Sequence, residues 1–171
     1  MVKKPDVKVI DEEITFEDEG LDAKALITKT NKRGIITFAS RAYRSMTKYS
    51  KEELIGKSHN VVRHPCMPET AFKEMWDTIL SCKRWVGFVK NLRKDGKYYW
   101  VIVKIEAVDK NGDIATSPDE IDSFVAIRRE PSRKDIEKVK KDYKIMRKAE
   151  LLEKKKKGFL KDWELELFEK L

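Results

Sequence analysis

The sequence predicts an α+β domain built on one antiparallel sheet. Three observations predict it: β-branched and apolar runs are joined by short turns containing Asn and Gly or Asp-Gly, the helical patterns fall between the second and third of these runs, and a long helical pattern follows the last. The 171 residues suit one ordinary domain with an extension. Hydrophobic residues make up 40% and charged residues another 40%, so a core can form and long solvated faces remain.

Residues 1–23 read as an N-terminal arm, extended or frayed, with seven acidic side chains between Asp6 and Glu19 and little pattern. The domain proper is expected over 24–131. Residues 25–30 and 34–40 are apolar runs separated by Asn31-Lys32-Arg33-Gly34, a tight hairpin turn. Ser50 followed by Glu53 is a capping box that opens a short helix stopped at Gly56. Pro68 starts the long core helix, with Phe72, Met75, Trp76 and Ile79 on one face. Trp85 to Leu92 and Tyr98 to Val108 are strands joined at Asp95-Gly96, and Ile121 to Arg128 is the last. Five strands result.

Residues 132–171 read as a basic helical tail. The stretch from Pro131 onward holds 14 Lys+Arg against 9 Asp+Glu, most of the net charge of +8. Ile136, Val139, Tyr143 and Met146 mark one face of a helix from about Asp135 to Lys157. The four lysines Lys154 to Lys157 are a solvated helix end or a phosphate or acidic-lipid contact. Phe159, Leu160, Trp163, Leu167, Phe168 and Leu171 give a second short helix an apolar side that must dock on its own domain or on a partner.

Several classes are excluded or disfavoured. No run approaches the roughly 18 apolar residues of a membrane span, and the charged opening is not a secretion signal, so a cytoplasmic protein is expected. Cys66 and Cys82 fit neither a disulfide framework nor a zinc motif. No catalytic triad, carboxylate pair or phosphate-cradling glycine loop is legible, and no enzyme is expected. The basic tail has no motif for reading nucleic acid.

Three stretches carry a specific resemblance. His59-Asn60-Val61-Val62-Arg63-His64-Pro65 with Met67-Pro68, then Ala71-Phe72 with Met75-Trp76, then Trp85 to Asn91 with Asp95-Gly96 and Tyr99-Trp100-Val101, resemble the PAS domain of bacterial aerotaxis receptors over roughly 24–131. The resemblance implies a PAS fold, five antiparallel strands around a pocket closed by short helices. It also implies a non-covalent FAD whose redox state reports respiratory or oxygen status to a chemoreceptor or another signalling protein. Any membrane contact would run through that partner, and a homodimer is an option.

An FAD site needs an apolar slot, aimed polar groups and cations for two phosphates. Arg63 and His64 suit a pyrophosphate or a flavin carbonyl, Trp85 a stack on ring or adenine, and Asn91 the donor–acceptor edge of the flavin. Ser40 and Tyr99 complete the expected site. The competing readings are a surface ion pair and loop cap for Arg63 and His64, plain core for Trp85, a strand-end turn for Asn91, and a core strand residue for Tyr99. Two positions depart from the family pattern: Cys66 replaces an acidic residue and Ser40 replaces Asn. The cysteine of light-driven flavin adducts would stand where this chain has Val61. Two alternatives keep the fold, haem with His64 or His59 as axial ligand, and a ligand-free module for dimerisation or docking.

Overall fold

The computed structural model describes residues 3–171. Strands β1 (Leu26–Asn31) and β2 (Ile36–Ala39) form the expected hairpin, its turn closed by Asn31 Oδ1, which accepts from the Arg33 and Ile35 amides at 2.9 and 3.1 Å. Helix α1 (Arg41–Thr47) was not foreseen. Its signal is Ser40, whose Oγ accepts from the Tyr43 amide at 3.3 Å as an N-cap. Helix α2 (Lys51–Leu54) carries the expected Ser50/Glu53 capping box, and a 3-10 turn covers His59–Val62. Helix α3 (Glu69–Leu80) then leads to β3 (Trp85–Leu92) and β4 (Tyr98–Val108), with the bounds read from the sequence. The last strand, β5 (Ser123–Arg129), starts two residues later than expected, because Pro118–Glu120 winds into a 3-10 turn that Ile121 ends.

All pairings are antiparallel, in the order β2-β1-β5-β4-β3. Side chains alternate across this sheet. Leu26, Val101, Val103, Phe124 and Ala126 join the inner core, over which α1 to α3 close. Trp100 and Phe88 face outward instead.

Helix α4 (Arg133–Lys156) covers that outer face, bringing Ile136 and Val139 onto Tyr98 and Trp100. Burying each aliphatic side chain contributes about 1.5–3 kcal/mol. Tyr143 stacks on Trp100 with ring centres 6.3 Å apart and donates to the Phe88 carbonyl at 2.7 Å. Farther along, Arg147 is fully buried and donates from Nε to the Pro65 carbonyl at 2.9 Å. One turn on, Glu150 accepts from the Glu69 and Thr70 amides at 2.9 and 2.8 Å. Pro68 cannot cap α3 by a side chain, so α4 supplies the cap from outside the helix.

Helix α5 (Asp162–Lys170) folds back on α4. Lys154 Nζ bridges Glu69 and the buried Glu164, 3.0 Å from each. The apolar side expected to dock does so in part: Trp163, Leu167 and Phe168 are half-buried, whereas Phe159 is 72% exposed.

The arm is extended but not frayed. Glu12 and Ile14 exchange backbone hydrogen bonds with Tyr98, and Phe16 is buried in the core. The acids that gave the arm its featureless reading are its anchors: Glu19 pairs with Arg93 at 2.8 Å and Lys48 at 2.8 Å, and Glu13 pairs with Arg133.

Candidate functional site

A cavity of about 390 Å³ lies between the inner sheet face and α3. Its apolar lining comes from Phe72, Met75, Trp76 and Ile79 of α3 and from Val89, Val103, Ile105, Phe124 and Ala126 of the sheet. The exposed Arg33, Ser58 and Asn60 mark its mouth, between the β1–β2 turn and the 3-10 turn. Gly34 holds φ at +78° there and lies so close to the Trp76 indole that a Cβ would sit 3.2 Å from the ring. Trp76 meets Phe124 edge-on at 5.6 Å, closing the slot from the sheet side.

The polar lining is cationic. Arg33, Arg63 and Arg128 contribute, and among the described residues no Asp or Glu lines the cavity. Arg128 is 5% exposed and donates to Thr28 Oγ1 at 3.0 Å and to His59 Nε2 at 3.1 Å. Because a guanidinium only donates, His59 Nε2 accepts and its proton rests on Nδ1. Thr28 Oγ1 lies 3.0 Å from the same nitrogen, and Arg128 also covers the Tyr43 ring at 5.0 Å. Arg63 stands over the Phe72 ring at 4.3 Å, and its Nε and Nη2 are buried with no protein acceptor. Burial pulls its pKa below the ordinary arginine value.

Of the expected site residues, the structure brings Arg63 and Asn91 to the cavity wall. Arg63 pairs with Asn91 along the free edge of β3, so both face inward. His64, the next residue, must therefore face the other way. It meets Tyr98 edge-on at 5.8 Å, and its Nδ1 accepts from the Cys66 amide at 3.1 Å. Trp85 is also absent from the lining. Its indole folds over Gly87, where a Cβ would lie 2.3 Å from the ring, and the missing side chain is what lets it lie flat. Ser40 is a helix cap that also accepts from the Ile27 amide at 3.1 Å. Tyr99 lies behind Asn91, which donates to its hydroxyl at 3.4 Å, and so positions the amide rather than lining the cavity. Burial raises the Cys66 thiol pKa, keeping it protonated.

Thr28, Arg33 and Arg128 carry no sequence signal of their own. Only the β1–β5 pairing, with Leu26 opposite Arg128, shows that Thr28 and Arg128 share the inner face.

The family described as PAS fold matches residues 36–116. The chain is 32% identical over 144 residues to the aerotaxis receptor of Escherichia coli (strain K12), covering 83% of this chain. The chain carries a PAS domain of the aerotaxis-receptor type. It spans only 27% of that receptor's length. The nitrogen fixation regulatory protein of Klebsiella pneumoniae is 28% identical over 64% of the chain, which spans 21% of that relative. Among solved structures, the dark state of the blue-light photoreceptor Aureochrome1 LOV aligns with a TM-score of 0.58 at 18% identity, covering 80% of this chain and 97% of that one. That likeness shows the fold of this PAS domain alone.

Both histidines of the PAS domain are held neutral. Burial, then Arg128, pushes His59 down to about 3, and burial with Lys90 holds His64 well below its usual range. In the unfolded chain both titrate near 6.5, so below that pH the unfolded state binds the extra protons. Stability is therefore complete above about pH 6.5 and falls as the pH drops, by up to about 1.4 kcal/mol per pH unit for each group. Denaturant melts between neutral pH and pH 4 should show a shallower loss for the H59N/H64N double variant than for the wild type. Parallel slopes would refute this assignment.

Proposed function

We propose that the cavity holds FAD and that the chain is a cytoplasmic sensor of redox or oxygen status, relaying it to a chemoreceptor-like signalling partner without catalysis of its own. The observation that carries this reading is a cavity wall with three arginines, no carboxylate and an apolar floor. A buried guanidinium without an anion is costly, and an anionic ligand supplies the missing partner. The volume lies within the range of sites for small molecules and cofactors. The similarity to an aerotaxis receptor supports the signalling role.

When bound, FAD supplies reversible hydride and electron chemistry. Arg33 and Arg63 would hold its diphosphate, Thr28, Asn91 and Arg128 the polar edge of the ring, and Phe72, Met75, Trp76 and Phe124 its faces. Haem fits less well. The Nε2 of His59 is engaged by Arg128 and Thr28, and His64 lies outside the cavity.

The test is gel filtration of the full chain after mixing with excess FAD. Retained absorption near about 375 and 450 nm is expected, with Arg63→Ala lowering affinity about tenfold as one charge-assisted contact is lost. A colourless protein peak would overturn the flavin reading in favour of a ligand-free docking module.

A further inference from the structure

We propose that the solvent face of α4 docks on an anionic lipid surface. At 3.6 residues per turn, Lys134, Lys138, Lys141, Ile145, Ala149, Leu152 and Lys156 fall in a stripe about 80° wide. All seven are exposed, Ile145 at 70% and Leu152 at 40%. No carboxylate lies in the stripe, and its four lysines make no ion pair among the described residues. The opposite face of α4 is fixed on the sheet and the Pro65 turn, so the helix presents this stripe as a rigid line about 33 Å long.

Charge decides among occupants. A second copy would set lysine against lysine. Protein interfaces are depleted in Lys and enriched in Arg and aromatic residues, whereas every charge in this stripe is a Lys and it holds no aromatic residue. A nucleic acid backbone offers nothing to Ile145, Leu152 or the exposed Phe159. A bilayer takes both: hydrated ammonium groups at anionic headgroups and aliphatic side chains at the acyl boundary. No helix among the described residues is long and apolar enough to cross a membrane, so the contact is peripheral.

The experiment is sedimentation of the full chain with vesicles of phosphatidylcholine alone or with equal parts phosphatidylglycerol, at low and high salt. The chain should pellet with the anionic vesicles only and be released by salt. The quadruple variant K134Q/K138Q/K141Q/K156Q should lower partitioning by about 600-fold, at about fivefold for each lysine. The I145D/L152D variant should also lose binding, and I145D alone, at a site 70% exposed, should weaken it at an unchanged melting temperature. Equal binding to neutral vesicles, no pelleting with anionic ones, or an unaffected lysine variant would overturn the proposal. So would tighter binding to a DNA duplex that the I145D/L152D variant leaves intact. The salt response of the wild type decides the matter even if a variant fails to fold.

Discussion

Arg128→Met is expected to weaken FAD binding about ten- to a hundredfold while leaving the melting temperature of the ligand-free protein unchanged or slightly raised. Two physical terms set the opposite signs. Arg128 is buried beside Thr28, His59 and the Tyr43 ring, with no carboxylate among its contacts. Burying a guanidinium there costs several kcal/mol in desolvation, which methionine of similar length does not incur. The Thr28 hydroxyl and His59 Nε2, 3.0 Å apart, keep each other as partners after the change. For an anionic ligand, however, a charge-assisted hydrogen bond worth about 1.5–3 kcal/mol is lost. Equilibrium dialysis against FAD and a thermal melt without it measure the two sides. A fall in melting temperature of many degrees at unchanged affinity would make Arg128 a framework residue instead.

Glu150→Ala should destabilise the chain by about 2–4 kcal/mol, the largest stability loss expected of any exposed or half-exposed position. The carboxylate accepts from two backbone amides at the start of α3 and from the Thr70 hydroxyl at 2.5 Å. Among the described residues it is also the only anion paired with the buried Arg147, at 3.4 Å. Removing it uncaps a twelve-residue helix, at about 1 kcal/mol or more, and leaves a buried cation without its anion. For a chain of this size the midpoint should drop by about 4–16 °C. Glu150→Gln should recover part of the loss, because its carbonyl still accepts from an amide. A melt within 2 °C or so of wild type for the alanine variant would refute the capping role.

How far the sequence reveals the fold depends on whether a signal is local. Trp85–Leu92 and Tyr98–Val108 are legible to the residue because an Asp-Gly turn and apolar runs bound them. Helix α3 is legible because Pro68 starts it and Phe72, Met75, Trp76 and Ile79 keep its period. Helix α1 is not, since Ser40 suits a strand end as well as a cap, and the seven residues after it show no long period. The site follows the same division. Arg63 and Asn91 reach the cavity from a motif read in one stretch, but adjacent residues on an extended segment face opposite ways, and that alternation sends His64 outward. Trp85 is expected over a ligand from its aromatic face and its place in the family-like motif, but Gly87, two residues along on the same face of the strand, leaves room for the indole to lie on its own strand instead. Thr28 and Arg128 meet across strands 100 residues apart in sequence, a separation no local pattern spans.

Helix α3 has two roles that are joined mechanically: it forms one wall of the cavity, and its first turn is held by Glu150 of the tail. Thermodynamic linkage makes any coupling between them symmetric. If filling the cavity tightens the seat of α4 by some factor, releasing α4 must loosen the ligand by the same factor. The tail is then a second determinant of cavity affinity, some distance from any atom the ligand touches. A partner that pulls on α4 would read the cavity and also retune it, so the threshold of such a sensor belongs to the complex and not to the isolated chain.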